Sequence, residues 1–301
     1  MNRVTVIGSA NIDFVVELPR RPDAGETLLG SDLRRFAGGK GANQAAAAAR
    51  MGAETSFSGC VGADENGSFV CSQLAESGVD VSGVIRVDRP TGTALVLVTP
   101  DGENSIVVSP GANHALDVEF AEKKGDEWVD ADMVVLNLES PLRAVEHIAA
   151  MAAHRGIRLL LNAAPAEQLS AETLALCDPL IVNEHEARVL LGDEGASSFA
   201  AVAQRFLDRG VRSVVITLGA AGAVFGDSTG IATVPAFAVD VVDTTGAGDA
   251  FVGATASELA RGCGLREAVA FASAVAALSV QSVGAQSSYP NRREVRDFLD
   301  R

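Results

Sequence analysis

The sequence predicts an α/β fold: a central, mostly parallel sheet with helices on both faces, and a small β-sheet lid beside it. Three observations carry that expectation. Short β-branched runs alternate with helical patterns through most of the chain. Two extended, turn-rich stretches interrupt the alternation. Loops of small residues follow several of the strand patterns, where open α/β sheets bind their ligands.

The strand patterns are Val4–Ile7, Thr55–Val61, Met133–Leu136, Arg158–Leu161, Leu180–Val182 and Ser213–Leu218. Helical periodicity runs over Lys40–Met51, Gly67–Ser77, Leu142–Arg155, Glu184–Leu191 and Phe199–Arg209, then over Ala247–Arg261, Leu265–Val280 and Arg292–Leu299. Ala45–Ala49 reads as part of a tightly packed internal helix, since alanine is the best helix former. Of the two interruptions, Phe14–Phe36 holds Pro19, Pro22 and Gly25 with no helical period. Thr91–Ser109 reads as strands Thr93–Val98 and Asn104–Val108 around the turn Pro100-Asp101-Gly102-Glu103. We therefore expect residues 1–13, 37–90 and 110–301 to form the α/β domain, with 14–36 and 91–109 as the lid.

Composition narrows the function. The chain has 301 residues, 48 % hydrophobic and 21 % charged, enough to bury a sizeable core. A net charge of −15 argues against a nucleic-acid partner, which needs a basic face, and implies that cations accompany any polyphosphate ligand. The most apolar stretch, Ala268–Val280, is too short to span a bilayer, and the N-terminus runs straight into a strand without a signal-peptide core. Cys60, Cys71, Cys177 and Cys263 lack metal-ligand spacing and the four histidines are scattered, which suits a reduced, cytoplasmic protein without a structural metal site.

Asp243-Thr244-Thr245-Gly246-Ala247-Gly248-Asp249, which opens a helix, is the most informative run. A small-residue loop at a helix start presents unpaired N–H groups and the positive end of the helix dipole to an anion, and Asp249 stands beside it as a base for an attacking hydroxyl. Taken alone, the same run is also an ordinary helix start with an acidic first turn. In Gly8-Ser9-Ala10-Asn11-Ile12-Asp13, Asn11 and Asp13 share one face of an extended segment and suit a vicinal diol, or else form an Asx-turn pair. Ala37-Gly38-Gly39-Lys40-Gly41-Ala42-Asn43-Gln44 permits close backbone approach to a ligand, with Asn43 in the first helical turn; Gly41 after Lys40 excludes a Walker A loop. Asn183 and Glu186 lie three apart in an opening helical turn, as a capping box, as a site for hydrated magnesium, or both. Thr217-Leu218-Gly219-Ala220-Ala221-Gly222 is a further small-residue turn after a strand, suited to pass beneath nucleotide phosphates.

Taken together, these runs make the chain resemble the ribokinase-like carbohydrate kinase family, which includes adenosine kinase and several fructokinases. The resemblance also takes in Gly25-Glu26-Thr27, Pro90-Thr91-Gly92-Thr93-Ala94, Gly102-Glu103-Asn104-Ser105, Leu138-Glu139-Ser140-Pro141-Leu142, Asn162-Ala163-Ala164-Pro165-Ala166 and Gly284-Ala285-Gln286. It implies ATP-dependent phosphorylation of the 5-hydroxyl of D-ribose. By that likeness Asn11, Asp13, Gly38, Gly39, Lys40, Asn43 and Glu139 hold the sugar, and Gly246, Ala247, Gly248 and Asp249 supply the anion hole and base. Asn183, Thr217, Leu218, Gly219, Gly222, Gly248 and Ser273 contact ATP, with Glu186 placing magnesium through water. Asp243, Thr245, Ser279, Ser282, Gly284 and Ser288 match the positions that hold an activating potassium ion. Ser279 and Ser282 fall at variable positions of that site, and Ser273 stands where the family often has Asn or His against adenine.

The alternatives are a kinase for another pentose or a nucleoside, and a catalytically silent sugar-binding protein. An NAD-linked oxidoreductase would need a dinucleotide fingerprint, which Gly8 does not begin. One lid face is expected on the sugar site. The other, with Phe14, Val16, Leu95 and Leu97, is expected to pair with its copy in a homodimer, as the resemblance implies.

Overall fold

A computed structural model describes residues 2–100, 104–192 and 198–301. The turn expected at Pro100-Asp101-Gly102-Glu103 and the Gly102-Glu103 half of its motif lie outside these residues, apart from Pro100. In chain order the elements are β1 (Arg3–Ile7), β2 (Asn11–Glu17), β3 (Arg34–Gly38), α1 (Lys40–Arg50), β4 (Glu54–Gly62), α2 (Glu65–Glu76), β5 (Asp80–Val87), β6 (Gly92–Val98) and β7 (Asn104–Ser109). There follow α3 (Val118–Lys124), β8 (Met133–Asn137), α4 (Leu142–His154), β9 (Arg158–Asn162), α5 (Ala171–Leu176), β10 (Cys177–Asn183), α6 (Glu184–Leu191), α7 (Phe199–Asp208) and β11 (Val214–Thr217). The chain ends with β12 (Ala223–Asp227), β13 (Gly230–Val234), α8 (Ala247–Ala260), α9 (Leu265–Ser279) and α10 (Arg292–Leu299).

The main sheet has the order β13-β12-β11-β10-β9-β8-β1-β4-β5, parallel from β11 to β5. Alternation along each strand builds two cores. Val135, Leu160, Ile181 and Val215 face the layer of α1, α2, α8 and α9. Val134, Leu136, Leu159, Leu161, Val182 and Ile216 face α3, α4, α6 and α7. Strand β5 and the antiparallel hairpin β12–β13 were not among the expected strands. The hairpin turn is an Asx motif in which Asp227 Oδ1 accepts from the Thr229 N–H at 2.7 Å and its hydroxyl at 2.6 Å, a signal present in Asp227-Ser228-Thr229-Gly230. Among the described residues no helix is long and apolar enough to cross a membrane.

The second sheet, β3-β2-β6-β7, is mixed: β2 pairs with β6 in parallel, and the outer pairs are antiparallel. Its pairing begins at Asn11↔Gly38, so Asn11–Asp13 and Ala37–Gly38, which the sequence grouped with the main domain, are hydrogen-bonded into the small sheet. One face, with Val15, Val96, Ile106 and Val108, lines a cavity above the main sheet. Strict alternation puts Phe14, Val16, Leu95, Leu97 and Val107 on the other face, where Leu95 is 50 % and Val107 64 % exposed.

Helices α1 and α8 lie against each other with small residues between them. Ala45, Ala46, Ala47 and Ala48 are buried, and Gly253 of α8 approaches the Gln44 carbonyl so closely that a Cβ there would sit 2.6 Å from the Ala47 Cβ. Gly253→Val is therefore expected to destabilise the protein by about 1–3 kcal/mol through overpacking, read as a lowered midpoint in chemical denaturation. The same substitution should depress activity, because both helices carry residues of the site below; unchanged stability would disprove the close packing.

Candidate active site

The C-terminal ends of the parallel strands point toward the small sheet, and the polar residues gather between. Asn11 and Asp13 come from β2, Gly39, Lys40 and Asn43 from the β3–α1 junction, Glu139 from the loop after β8, and Asp249 from the first turn of α8. All line one cavity of about 530 Å³, together with Asp243, Thr245, Gly246 and Gly284. Gly38 packs directly against the Asp13 carboxylate. Gly39, at φ +88°, turns the chain from sheet into helix where a Cβ would lie 2.7 Å from the Asn11 nitrogen.

Two helix N-termini meet here, and they differ. That of α1 is filled by the protein itself: Glu139 Oε2 accepts from the Lys40 N–H at 3.0 Å, Ser9 Oγ from the Gly41 N–H at 3.3 Å, and the Ser9 carbonyl from the Ala42 N–H at 2.9 Å. Ser9 Oγ in turn donates to Glu139 Oε2 at 2.6 Å, and Glu139's own N–H is held by Asn137 Oδ1 at 3.1 Å. That of α8 opens on the cavity. Its N-cap Gly246 is left-handed, at φ +74°, and a Cβ there would sit 2.6 Å from the Tyr289 hydroxyl. The Ala247 N–H folds back on the Thr244 carbonyl at 3.2 Å, whereas Gly248 is exposed with open space where a side chain would stand.

Asp249 is buried. Its two oxygens accept from the side-chain amides of Asn43 and Gln44, each at 3.0 Å. Burial raises its pKa, opposed by the Lys40 charge and by these two amides. Burial, then the neighbouring Glu139 and Asp249, push Asp13 from 3.8 up to about 7. Burial works against the Lys40 ammonium, but Asp249, Glu139 and Glu186 together hold its pKa above the ordinary lysine value. Lys40 thus lies within electrostatic reach of both the cavity and α6.

Of the remaining expected residues, only Asp243, Thr245 and Gly284 line this cavity. Asn183 and Thr217 end adjacent parallel strands in direct register. Asn183 and Glu186 form a complete capping box: Asn183 Oδ1 accepts from the Glu186 N–H and Glu186 Oε2 from the Asn183 N–H, both at 2.8 Å. Leu218, Gly219 and Gly222 form the tight turn after β11, closed by the Leu218 N–H on the Gly222 carbonyl at 2.8 Å, and Gly219 faces open space. Ser273 is buried on α9, its hydroxyl donating to the Val269 carbonyl at 2.9 Å. The Asp243 and Gly284 segments are joined: Asp243 Oδ2 accepts from the Gly284 N–H at 2.8 Å, and its Oδ1 from the N–H and hydroxyl of Thr245 at 2.9 and 2.6 Å. These bonds outweigh burial and hold the Asp243 carboxyl below its ordinary pKa. The hydroxyls of Ser279 and Ser288 turn back to the carbonyls of Ala276 and Ala285, and Ser282 is exposed.

Sequence reasoning assigned no role to several polar residues found here. Gln44 bridges Asp249 and Asn162, Gln286 donates to Asn43, and Asn113 donates to Asn11 Oδ1 at 2.7 Å while accepting the Ala10 N–H. Gln44 and Gln286 stood inside recognised runs and Asn162 at a strand end; Asn113 carried no signal.

Residues 1–292 match the pfkB family carbohydrate kinase pattern. The chain is 40 % identical to a ribokinase of Haemophilus influenzae over 99 % of this chain and 98 % of that one. Its fold superposes on a ribokinase of Thermotoga maritima with a TM-score of 0.93 at 34 % identity, covering 100 % of both chains. An Arabidopsis thaliana ribokinase, solved with ribose and ATP, matches with a TM-score of 0.89 at 32 % identity over 99 % of this chain and 98 % of that one. The chain belongs to the pfkB family of carbohydrate kinases.

Asp13 gives a test of the site's electrostatics. Its pKa is raised on folding, so the folded form holds a proton that the unfolded chain releases. The resulting cost grows as pH rises between 3.8 and about 7 and is complete above that range. Asp13→Asn should therefore stabilise the ligand-free protein at pH 8 and leave it little changed near pH 4, as read by thermal unfolding at both pH values. A variant less stable than the parent at pH 8 would refute this.

Proposed function

We propose that the protein transfers the γ-phosphoryl group of ATP to the 5-hydroxyl of D-ribose. The observation that carries this reading is the contrast between the two helix ends: α1 is closed by Glu139 and Ser9, while α8 opens beside a buried carboxylate. Of these two helix ends, only that of α8 is open to an anion, and it lies within reach of a base. The full-length likeness to ribokinases supports ribose as the acceptor.

In this reading Asn11, Asp13, Asn43 and Glu139 bind the sugar hydroxyls, the carboxylates accepting and the amides doing either. Asp249 takes the proton from the 5-hydroxyl as that oxygen attacks phosphorus; amide bonds to both oxygens fix the carboxylate and leave lone pairs for the incoming proton. The Gly248 N–H and the end of the α8 dipole stabilise charge on the transferring group. Lys40, held cationic by three carboxylates, offsets charge between sugar and nucleotide. Thr217, Leu218, Gly219, Gly222 and Asn183 line the nucleotide's path, and Ser273 borders the base.

Two cations belong to the proposal. The joined loops at Asp243–Thr245 and Ser279–Ser288 offer an ionised carboxylate and backbone carbonyls, hard oxygen donors that suit potassium. Its positive charge would stiffen and polarise the neighbouring Gly246 turn. Glu186 fits magnesium through water, because a carboxylate accepts several bonds and its capping role does not exhaust it. Magnesium would neutralise phosphate charge.

The direct test is ATP consumption against a panel of pentoses, hexoses and nucleosides. Ribose is expected to give the highest kcat/KM, and Asp249→Asn to lower kcat by roughly 10²–10⁴-fold with ATP affinity kept. Activity confined to a nucleoside, or near-parental turnover in Asp249→Asn, would overturn the reading.

The lid's outer face supports a homodimer. Leu95 and Val107, 50 % and 64 % exposed, lie on an apolar sheet face that a second copy can cover about a two-fold axis. Light scattering at micromolar concentration should give twice the chain mass of 30.9 kDa; the single-chain mass with full activity would exclude pairing through the lids.

A further inference from the structure

We propose that Gln286 is a positioning residue: it fixes the amide of Asn43, and through it the hydrogen bonding of Asp249. This deepens the kinase reading above and rests on it for the role of Asp249. Gln286 is buried in a short helical turn, Gln286–Ser288, and donates from Nε2 to Asn43 Oδ1 at 3.0 Å. Asn43 donates from Nδ2 to Asp249 Oδ2 at 3.0 Å.

Charge sets the direction of this chain. An ionised carboxylate only accepts, so Asn43 must turn its NH2 to Asp249 and its oxygen to Gln286. Gln286 must then present its own NH2. The orientation leaves Gln286 Oε1 buried without a partner among the described residues. Leaving a buried acceptor unsatisfied is costly, and the opposite orientation would set oxygen against oxygen at Asn43. The polarity is thus imposed outward from Asp249, and Gln286 locks it. On the other oxygen Gln44 needs no such lock, since its Nε2 reaches both Asp249 Oδ1 and Asn162 Oδ1 at 3.0 Å.

The segment that carries Gln286 is anchored to the α8 turn at both ends. The Gly284 N–H donates to Asp243 Oδ2 at 2.8 Å, and the Tyr289 hydroxyl to the Gly246 carbonyl at 3.1 Å. A displacement of this loop therefore reaches the base by two routes: the backbone of the turn and the Gln286–Asn43 amide pair.

Gln286→Met keeps volume and charge and removes the donor; Gln286→Asn keeps the amide and shortens its reach. The charged or titratable groups facing Asp249 are unchanged in both: Lys40 on α1, Glu139 after β8, Asp13 on β2, Glu186 on α6 and Tyr289. With Asn43 free to turn, Asp249 loses a donor that favours its charged form. Its carboxyl, followed by ¹³C NMR in the substrate-free protein and assigned with Asp249→Asn, should titrate at higher pH by about half a unit or more in both variants. The acid limb of the kcat–pH profile should move the same way, so that the kcat loss is greatest on the acid side and recovers toward alkaline pH, with ATP KM within about twofold of the parent. An unchanged Asp249 titration in folded variants, or a kcat loss equal at every pH, would overturn the proposal. A parent protein inactive on ribose would count against the kinase reading alone, since the NMR titration needs no turnover.

Discussion

Burying a carboxylate obliges the fold to supply donors for it, and the site is organised around that need at Asp249. The donors, Asn43 and Gln44, stand more than 200 positions earlier in the chain, the Asn43 pair spanning 206. They meet Asp249 because α1 and α8 pack through alanine and glycine, close enough for short amides to bridge the helices. Larger residues along Ala45–Ala48 or at Gly253 would open the gap and strand the charge, a more expensive fault than the packing itself. The alanine run is therefore part of the chemistry, although none of its methyl groups touches the cavity.

The same economy explains Glu139. A carboxylate that caps a helix is ordinarily local to it; Glu139 reaches the start of α1 from the loop after β8, 99 positions away from Lys40. Through that bond the first turn of α1 and the end of β8 become one unit on the Asn11 and Asp13 side of the cavity. Catalytic geometry built on strand ends and helix starts tolerates little drift, and here the Glu139 carboxylate takes charge-assisted bonds from Ser9 and from the start of α1, while its own N–H is held by Asn137 at the end of β8.

Much of this was legible in the sequence because it is written in local chemistry. Gly39 and Gly246 sit at turns that demand left-handed backbone, and Asn183 and Glu186 have the three-residue spacing of the capping box they form. The alternation of β-branched runs located the parallel strands other than β5 within a residue of their ends, except that β10 starts three residues before the expected Leu180. What escaped depended on distance in the chain. Asn113 has no local pattern, yet it clamps Asn11 and Ala10 across more than 100 positions. Gln286 lay inside a recognised run, but its role follows from where Asn43 sits, which periodicity does not encode. Strand β5 was missed because Gly83 and polar residues dilute its β character, and β12–β13 because a helical reading of the last third left no place for an edge hairpin.

The charges of the cavity bear on the order of the proposed reaction. Asp13, Glu139 and Asp249 share the cavity with two cations, Lys40 and Arg34, within a protein of net charge −15. A neutral polyol meets no electrostatic barrier there, and its hydroxyls replace the water that the carboxylates lose on burial. A triphosphate is repelled by the same groups unless positive potential is supplied where it lies. The chain supplies it at Lys40 and at the open end of α8, and the proposed cations would supply the rest. Sugar bound first would hydrogen-bond Asp13 and Glu139 and dampen their repulsion before the nucleotide arrives, and the lid strands that carry Asn11 and Asp13 would settle over it. In that order a phosphoryl group reaches the α8 turn only when an alcohol already stands beside Asp249, which keeps water from taking its place.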